Sequence, residues 1–238
     1  MKGLLFMLTL AVALPVLASR GEGSGPDASG APALVSFPTQ DGGRVYGDLY
    51  GEGDRGVVLA HGGRFNKESW KEQAGMLAAA GFCVLAIDFR GRGQSRGGTQ
   101  TQSRDDGARF DVLAAIRYLR ERGATTVSVV GASFGGGAAA EASIESEPDE
   151  IDRLVLLAHA PIEQPERMKG RKLFILTRDD ASGDARNPRL PGIRDQYRRA
   201  PEPKQLVILE GSAHAQLVFE TEQGERLMQE ILKFLSER

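Results

Sequence analysis

The stretch Thr126 to Ala140, TVSVVGASFGGGAAA, limits what this chain can fold into more than any other. Val127, Val129 and Val130 form a short β-branched apolar run, the pattern of a buried strand. Gly131-Ala132-Ser133-Phe134-Gly135 follows at once, and then a run of small residues able to start a helix. A serine between strand and helix must sit on a sharp turn, and small neighbours let the backbone make it without side-chain clashes. Gly136, Gly137 and the alanines after them would let the helix lie close against neighbouring strands. Such a turn presents the Ser133 hydroxyl at the strand's carboxyl end, above a helix N-terminus, which suits a nucleophile. A serine that only completes a tight turn is the plainer alternative; a strand before and a helix after favour the nucleophile.

The rest of the chain alternates strand and helix around that turn. Val45 to Tyr50, Gly56 to Ala60 and Phe82 to Ile87 have strand patterns, as do Leu154 to Ala158, Leu173 to Thr177 and Gln205 to Leu209. Lys67 to Ala80 has Trp70, Ala74 and Leu77 on one helical face. Asp106 to Arg122 has Val112, Ala115, Ile116 and Leu119 at i, i+3, i+4 and i+7. A last helix is expected over Glu222 to Ser236. Continuous apolar strands separated by amphipathic helices imply an α/β fold, a mostly parallel central sheet with helices on both faces.

With 238 residues the chain is long enough for one such domain with a sizeable core. A formal net charge of -2 gives no basic footprint and argues against nucleic acid as a partner. The single cysteine, Cys83, excludes an intramolecular disulfide and a cysteine-rich metal site, and its apolar context makes it a buried small hydrophobe. Residues 1–18 have the form of a signal peptide: Lys2, an apolar run from Gly3 to Leu14, then Val16-Leu17-Ala18 before Ser19. The run is short for a membrane span, so no span is expected after cleavage. Residues 19–33 have the composition of a flexible linker, and 34–238 that of the folded domain. The protein is therefore expected to be exported, to the periplasm or beyond the cell.

Hydrolysis through a serine needs a base, an acid and oxyanion donors as well. His61 and His159 end strands on either side of Ser133, whereas His214, in Gly211-Ser212-Ala213-His214, follows the last strand and the acid loop. In a strand-turn-helix serine fold the order is serine, acid, histidine, so His214 is the candidate base. The acid is sought in Thr177-Arg178-Asp179-Asp180; Asp180, further past the strand end, is preferred to Asp179, with Asp184 third. Backbone amides make oxyanion donors that need no reorganisation. Phe134, after the nucleophile, is one. Gly63 in His61-Gly62-Gly63-Arg64 is the second, with Arg64 as the alternative.

In the order HGG at 61–63, DFRGRGQS at 88–95, GASFGG at 131–136, RDD at 178–180 and GSAH at 211–214, the chain resembles the α/β-hydrolases, in their esterase, lipase and dienelactone-hydrolase-like group. The resemblance implies a covalent acyl-enzyme on Ser133, proton transfer by His214, and no metal or organic cofactor. Two departures stand out. Only His159 to Arg171 is available where the family often carries a lid, so no substantial lid is expected. Dienelactone hydrolases proper use a cysteine nucleophile, and this chain has serine.

A lidless site implies an open cleft for a small-molecule ester with a small or exposed acyl group. Arg186 to Arg199 is expected to be an irregular Arg- and Pro-rich loop that either borders the cleft, favouring an anionic substrate, or is only solvated surface. Gly91-Arg92-Gly93 lacks the third glycine of a dinucleotide fingerprint, and the chain has no Gly-Lys-Ser/Thr phosphate loop and no His-Glu-x-x-His pair. A small peptidase or thioesterase with the same triad is the competing enzyme reading, and a non-catalytic binding protein of the same fold the competing non-enzyme one. The sequence leaves the oligomeric state open.

Overall fold

The computed structural model describes residues 31–98, 105–181 and 188–237. The signal-peptide region, most of the linker and Asp184 lie outside these residues. The chain runs β1 (Ala33–Pro38), β2 (Gly43–Tyr50), β3 (Arg55–Ala60), α1 (Lys71–Ala79), β4 (Cys83–Asp88), β5 (Arg96–Gly97) and α2 (Asp105–Glu121). It continues β6 (Thr126–Ala132), α3 (Phe134–Glu145), β7 (Arg153–Leu157), β8 (Arg171–Thr177), α4 (Arg189–Arg199), β9 (Lys204–Leu209) and α5 (Gly224–Ser236). The sheet order is β1-β2-β4-β3-β6-β7-β8-β9, with the short β5 on β2. Pairings from β4 through β9 are parallel, while β1, β4 and β5 pair antiparallel with β2.

Every residue of β4 and β7 is buried, and all but the first of β3, β6 and β8. Successive side chains of a strand point to opposite faces, so burial at every position means that both faces of the sheet are covered. This explains why these strands are continuously apolar instead of alternating. At the other extreme, β1 at the sheet edge exposes every second residue and buries only Phe37, and its weak pattern hid it in the sequence.

Three local differences from the sequence expectations have physical causes. The first helix opens as a 3-10 turn, Lys67–Trp70, before α1 begins at Lys71. Of the expected irregular Arg186 to Arg199 loop, residues 189–199 form α4 instead, and Arg186 lies outside the described residues. Pro191 sits in the first turn of α4, where a missing amide hydrogen costs nothing. Leu190, Ile193 and Tyr197 pack inward at i, i+3 and i+7, a stripe masked by the arginines between them. The third difference is small: Ala33, placed in the linker, already pairs with Leu49 as the first residue of β1. As expected, the β7–β8 connection carries only the three-residue turn Pro165–Arg167, too short to roof a site. Cys83 is buried, as its apolar context implied.

Candidate active site

β6 lies in the middle of the sheet between β3 and β7, and its carboxyl end delivers Ser133 onto the N-terminus of α3. Ser133 has φ +50° and ψ −112°, a conformation that L-residues rarely adopt and that costs roughly 1–3 kcal/mol. Three hydrogen bonds hold it there: Ser133 N donates to Leu157 O at 2.8 Å, and Ala160 N and Gly137 N donate to Ser133 O at 2.9 and 3.1 Å. The flanking glycines are a steric requirement. A Cβ on Gly131 would lie 2.5 Å from Gly135 O, and one on Gly135 would lie 2.3 Å from Ala60 O.

The loops after β8 and β9 are zipped together at this end of the sheet. Arg178 N donates to Leu209 O at 2.8 Å and Asp179 N to Gly211 O at 3.0 Å, while Thr177 Oγ1 donates to Ala213 O at 2.9 Å. The result brings three distant residues into one line. His214 Nε2 is 2.8 Å from Ser133 Oγ, and His214 Nδ1 is 2.7 Å from Asp180 Oδ2. An ionised carboxylate only accepts hydrogen bonds, so Nδ1 carries the proton and Nε2 is left to accept the serine hydroxyl. Of the two aspartates, Asp180 is fully buried against the imidazole, whereas Asp179 is exposed. Sequence order alone left these two unresolved. Arg189, which sequence reasoning assigned only to a basic loop, donates its backbone amide to Asp180 O at 2.8 Å, and its Nε lies 4.0 Å from Asp180 Oδ1.

The other two histidines are committed elsewhere. His61 Nδ1 lies 2.8 Å from Gly62 O, and Phe89 N donates to His61 Nε2 at 3.3 Å, so the ring is spent on backbone. His159 is fully buried behind the Ser133 turn, edge-on to Phe174 with ring centroids 5.5 Å apart, and burial pushes its pKa down to about 4.

The loop carrying the expected oxyanion donor is held on several sides. Gly62 N donates to Gln216 Oε1 at 2.7 Å, which commits that amide and leaves Gly63 and Arg64 as the donors to consider. Gly62 O accepts from Phe65 N at 3.0 Å and from the His61 ring. Because a trans peptide is planar, fixing the Gly62 carbonyl aims the Gly63 N–H in the opposite direction. Arg92 Nη2 donates to Gly63 O at 2.5 Å and fixes the next peptide in the same way. Two residues earlier in the same loop lies a separate ionic cluster. The buried Arg90 is gripped by Asp111, with Nη2 2.7 Å from Oδ1, and by Asp41, with Nη1 2.6 Å from Oδ2. Gln216 belongs to none of the motifs read in the sequence and Arg92 only to the DFRGRGQS stretch, and their contacts alone link them to the Gly62-Gly63 loop.

A cavity of about 630 Å³ opens beside the serine, lined by Gly63, Arg64, Phe65, Ser133, Phe134, His214 and Leu217 among others. Its walls are mostly apolar, and Leu217 is an exposed large hydrophobe. A larger cavity of about 760 Å³ lies at the opposite, amino-terminal end of the strands, near Arg120, Ile151 and Lys172, and contains none of these groups. At the far end of α4, two arginines are paired with carboxylates: Arg198 with Asp195 at 2.7 Å and Arg199 with Glu166 at 2.8 Å. Among the described residues, no group of three or more His, Cys, Asp or Glu side chains could hold a metal ion, and no helix is long and apolar enough to cross a membrane.

Comparison with known proteins agrees with this architecture. The chain is 32% identical over 129 residues to a non-heme chloroperoxidase of Streptomyces lividans, covering 54% of this chain and 45% of that protein. It is 32% identical over 126 residues to a bifunctional esterase/perhydrolase of Acinetobacter calcoaceticus, covering 52% and 44%. The match thus spans less than half the length of each of these relatives. An esterase of Pyrococcus furiosus superposes with a TM-score of 0.72 at 18% identity, over 87% of this chain and 92% of that one. Residues 57–201 match the profile of the alpha/beta hydrolase family, and the chain belongs to that family.

Proposed function

We propose that the protein is a serine esterase that cleaves small carboxylic esters through an acyl-enzyme. The observation that carries this reading is the continuous relay from Asp180 through His214 to Ser133, with both links at hydrogen-bond distance. Ser133 Oγ attacks the ester carbonyl while His214 Nε2 takes its proton, and Asp180 stabilises the imidazolium that forms. The Phe134 and Gly63 amides stabilise the charge on the carbonyl oxygen. His214 then protonates the departing alcohol, and water, activated by the same imidazole, releases the acid. Family membership and the esterases among similar proteins support this class of reaction. Phe65, Phe134 and Leu217 around the cavity favour an apolar acyl or alcohol group. Export rests on Lys2 and the apolar run that follows it.

A fluorophosphonate probe is expected to label the protein, and p-nitrophenyl acetate and butyrate to be turned over. Ser133→Ala should abolish the labelling and lower kcat/KM by at least ~10⁴-fold. If the unaltered protein neither labels nor hydrolyses any activated ester, the binding-protein reading replaces this one. Turnover of acyl thioesters or peptides in preference to oxygen esters would keep the triad and change the leaving group.

A further inference from the structure

We infer that Gln216 is a positioning residue that sets the spacing between the general base and the oxyanion loop, an inference that rests on the serine-esterase reading above. Gln216 stands two residues after His214, and its side chain is buried. Its two amide atoms hold two separate elements. Oε1 accepts from Gly62 N at 2.7 Å, and Nε2 donates to Ser69 Oγ at 2.8 Å. Ser69 Oγ passes its own hydrogen to Asn66 O at 2.6 Å, so the direction of the whole chain of bonds is fixed. Ala215, between the imidazole and this strut, has φ +51°, the turn that lets His214 and Gln216 reach different partners.

The consequence for chemistry follows from where Gly62 sits. A Cβ on Gly62 would lie 3.6 Å from Ser133 Cβ, so the amide that Gln216 grips borders the nucleophile and precedes the Gly63 donor. The strut therefore joins the base loop directly to the loop that receives the oxyanion. Hydrogen bonds to a developing oxyanion depend steeply on placement, and a ~1 Å error costs on the order of 10²-fold in rate. Loss of the strut removes no donor; it removes one of the bonds that place the Gly63 donor, and about a tenfold loss is expected.

The experiment compares the full chain with Gln216→Leu, Ser69→Ala and the double variant. The readouts are kcat/KM on p-nitrophenyl acetate, its pH midpoint, and the inhibition constant of phenylboronic acid, which forms a tetrahedral adduct on a serine hydroxyl. Gln216→Leu should lower kcat/KM and weaken boronate inhibition by a similar factor of about ten, with the pH midpoint unmoved because His214 and Asp180 keep their contacts. Ser69→Ala should act in the same direction by a few-fold and add nothing in the Gln216→Leu background, as expected for residues in one network. If Gln216→Leu stays within twofold of the unaltered protein on both readouts, or if the two substitutions are simply additive, Gln216 is packing alone and the inference falls. Should Gln216→Leu fail to fold, Ser69→Ala decides, with unchanged boronate inhibition counting against the strut. Fluorophosphonate labelling of the unaltered protein is read separately, so failure of the esterase reading is not confused with failure of this one.

Discussion

His159 makes the fold acid-sensitive at a defined place. Its ring is fully buried, neither nitrogen has a hydrogen-bond partner among the described residues, and its pKa falls to about 4, because burial disfavours the imidazolium and Arg189 repels it. Gln196 favours the charged form, but both of its amide atoms are engaged by the Ile162 backbone at 3.0 and 3.2 Å. In the unfolded chain the imidazole titrates near ~6.5. The folded value is the lower one, so the unfolded state binds the extra proton first. The stabilising contribution is complete above pH ~6.5 and is lost progressively as the pH falls toward 4. Over that interval the loss approaches roughly 3 kcal/mol, and roughly 2 kcal/mol of it is gone by pH 5. Urea unfolding between pH 8 and pH 4.5, followed by the fluorescence of the single buried tryptophan, Trp70, measures it. His159→Leu removes the titration without removing a hydrogen bond, so the variant should match the unaltered protein to within about 1 kcal/mol at pH 7.5 and exceed it increasingly below pH 6. Asp88 and Asp111, whose carboxyls are raised by burial, bend the two curves alike, so the difference isolates His159. Parallel curves for the two proteins would refute the reasoning. Because Ala160 N holds Ser133 O and a Cβ on Gly136 would lie 2.7 Å from His159 Cβ, reversible loss of the proposed esterase activity should accompany the loss of stability.

Two further predictions follow from contacts at the site and away from it. Asp180→Asn should lower kcat by ~10³–10⁴-fold, because an amide facing Nδ1 no longer holds the required tautomer, whereas the exposed Asp179→Asn should stay within about twofold; similar mild effects at both positions would remove the acid assignment. Gly135→Ala should prevent folding or cost several kcal/mol, since its Cβ would meet backbone oxygen at 2.3 Å, while Gly75→Ala, in α1 with open space around it, should raise stability by about 0.5–1 kcal/mol in thermal unfolding.

What could be read before any coordinates divides along a physical line. Ser133 and the β6–α3 turn were legible because their job is local: a strand, a glycine-flanked serine and a small-residue helix form one continuous steric requirement, and Gly131 and Gly135 meet backbone oxygens at 2.5 and 2.3 Å where any side chain would collide. His214 was singled out differently, by its order in the chain after the acid loop. Asp180 was only half legible. Two neighbouring aspartates carry the same chemistry, and the difference between them is burial, which depends on Asp179 N bonding to Gly211 O from another loop. Gln216 was not legible at all, and Arg92 and Arg189 were read only as parts of a motif and of a basic stretch, without their contacts. Each is a polar residue of ordinary surface type, turned inward by partners on other loops, and periodicity cannot distinguish such a residue from a solvated neighbour. The same blindness produced the mistaken loop at α4, where arginines flank an apolar stripe that only β8 and the Pro165–Arg167 turn, packed against it, make meaningful. Motifs therefore mark the atoms proposed to react, while the side chains that bond to the loop beside them, Gln216 at Gly62 and Arg92 at Gly63, are chosen by geometry that many sequences could meet. Substitutions at Gln216 or Arg92 should therefore change rates without touching any group that meets the substrate.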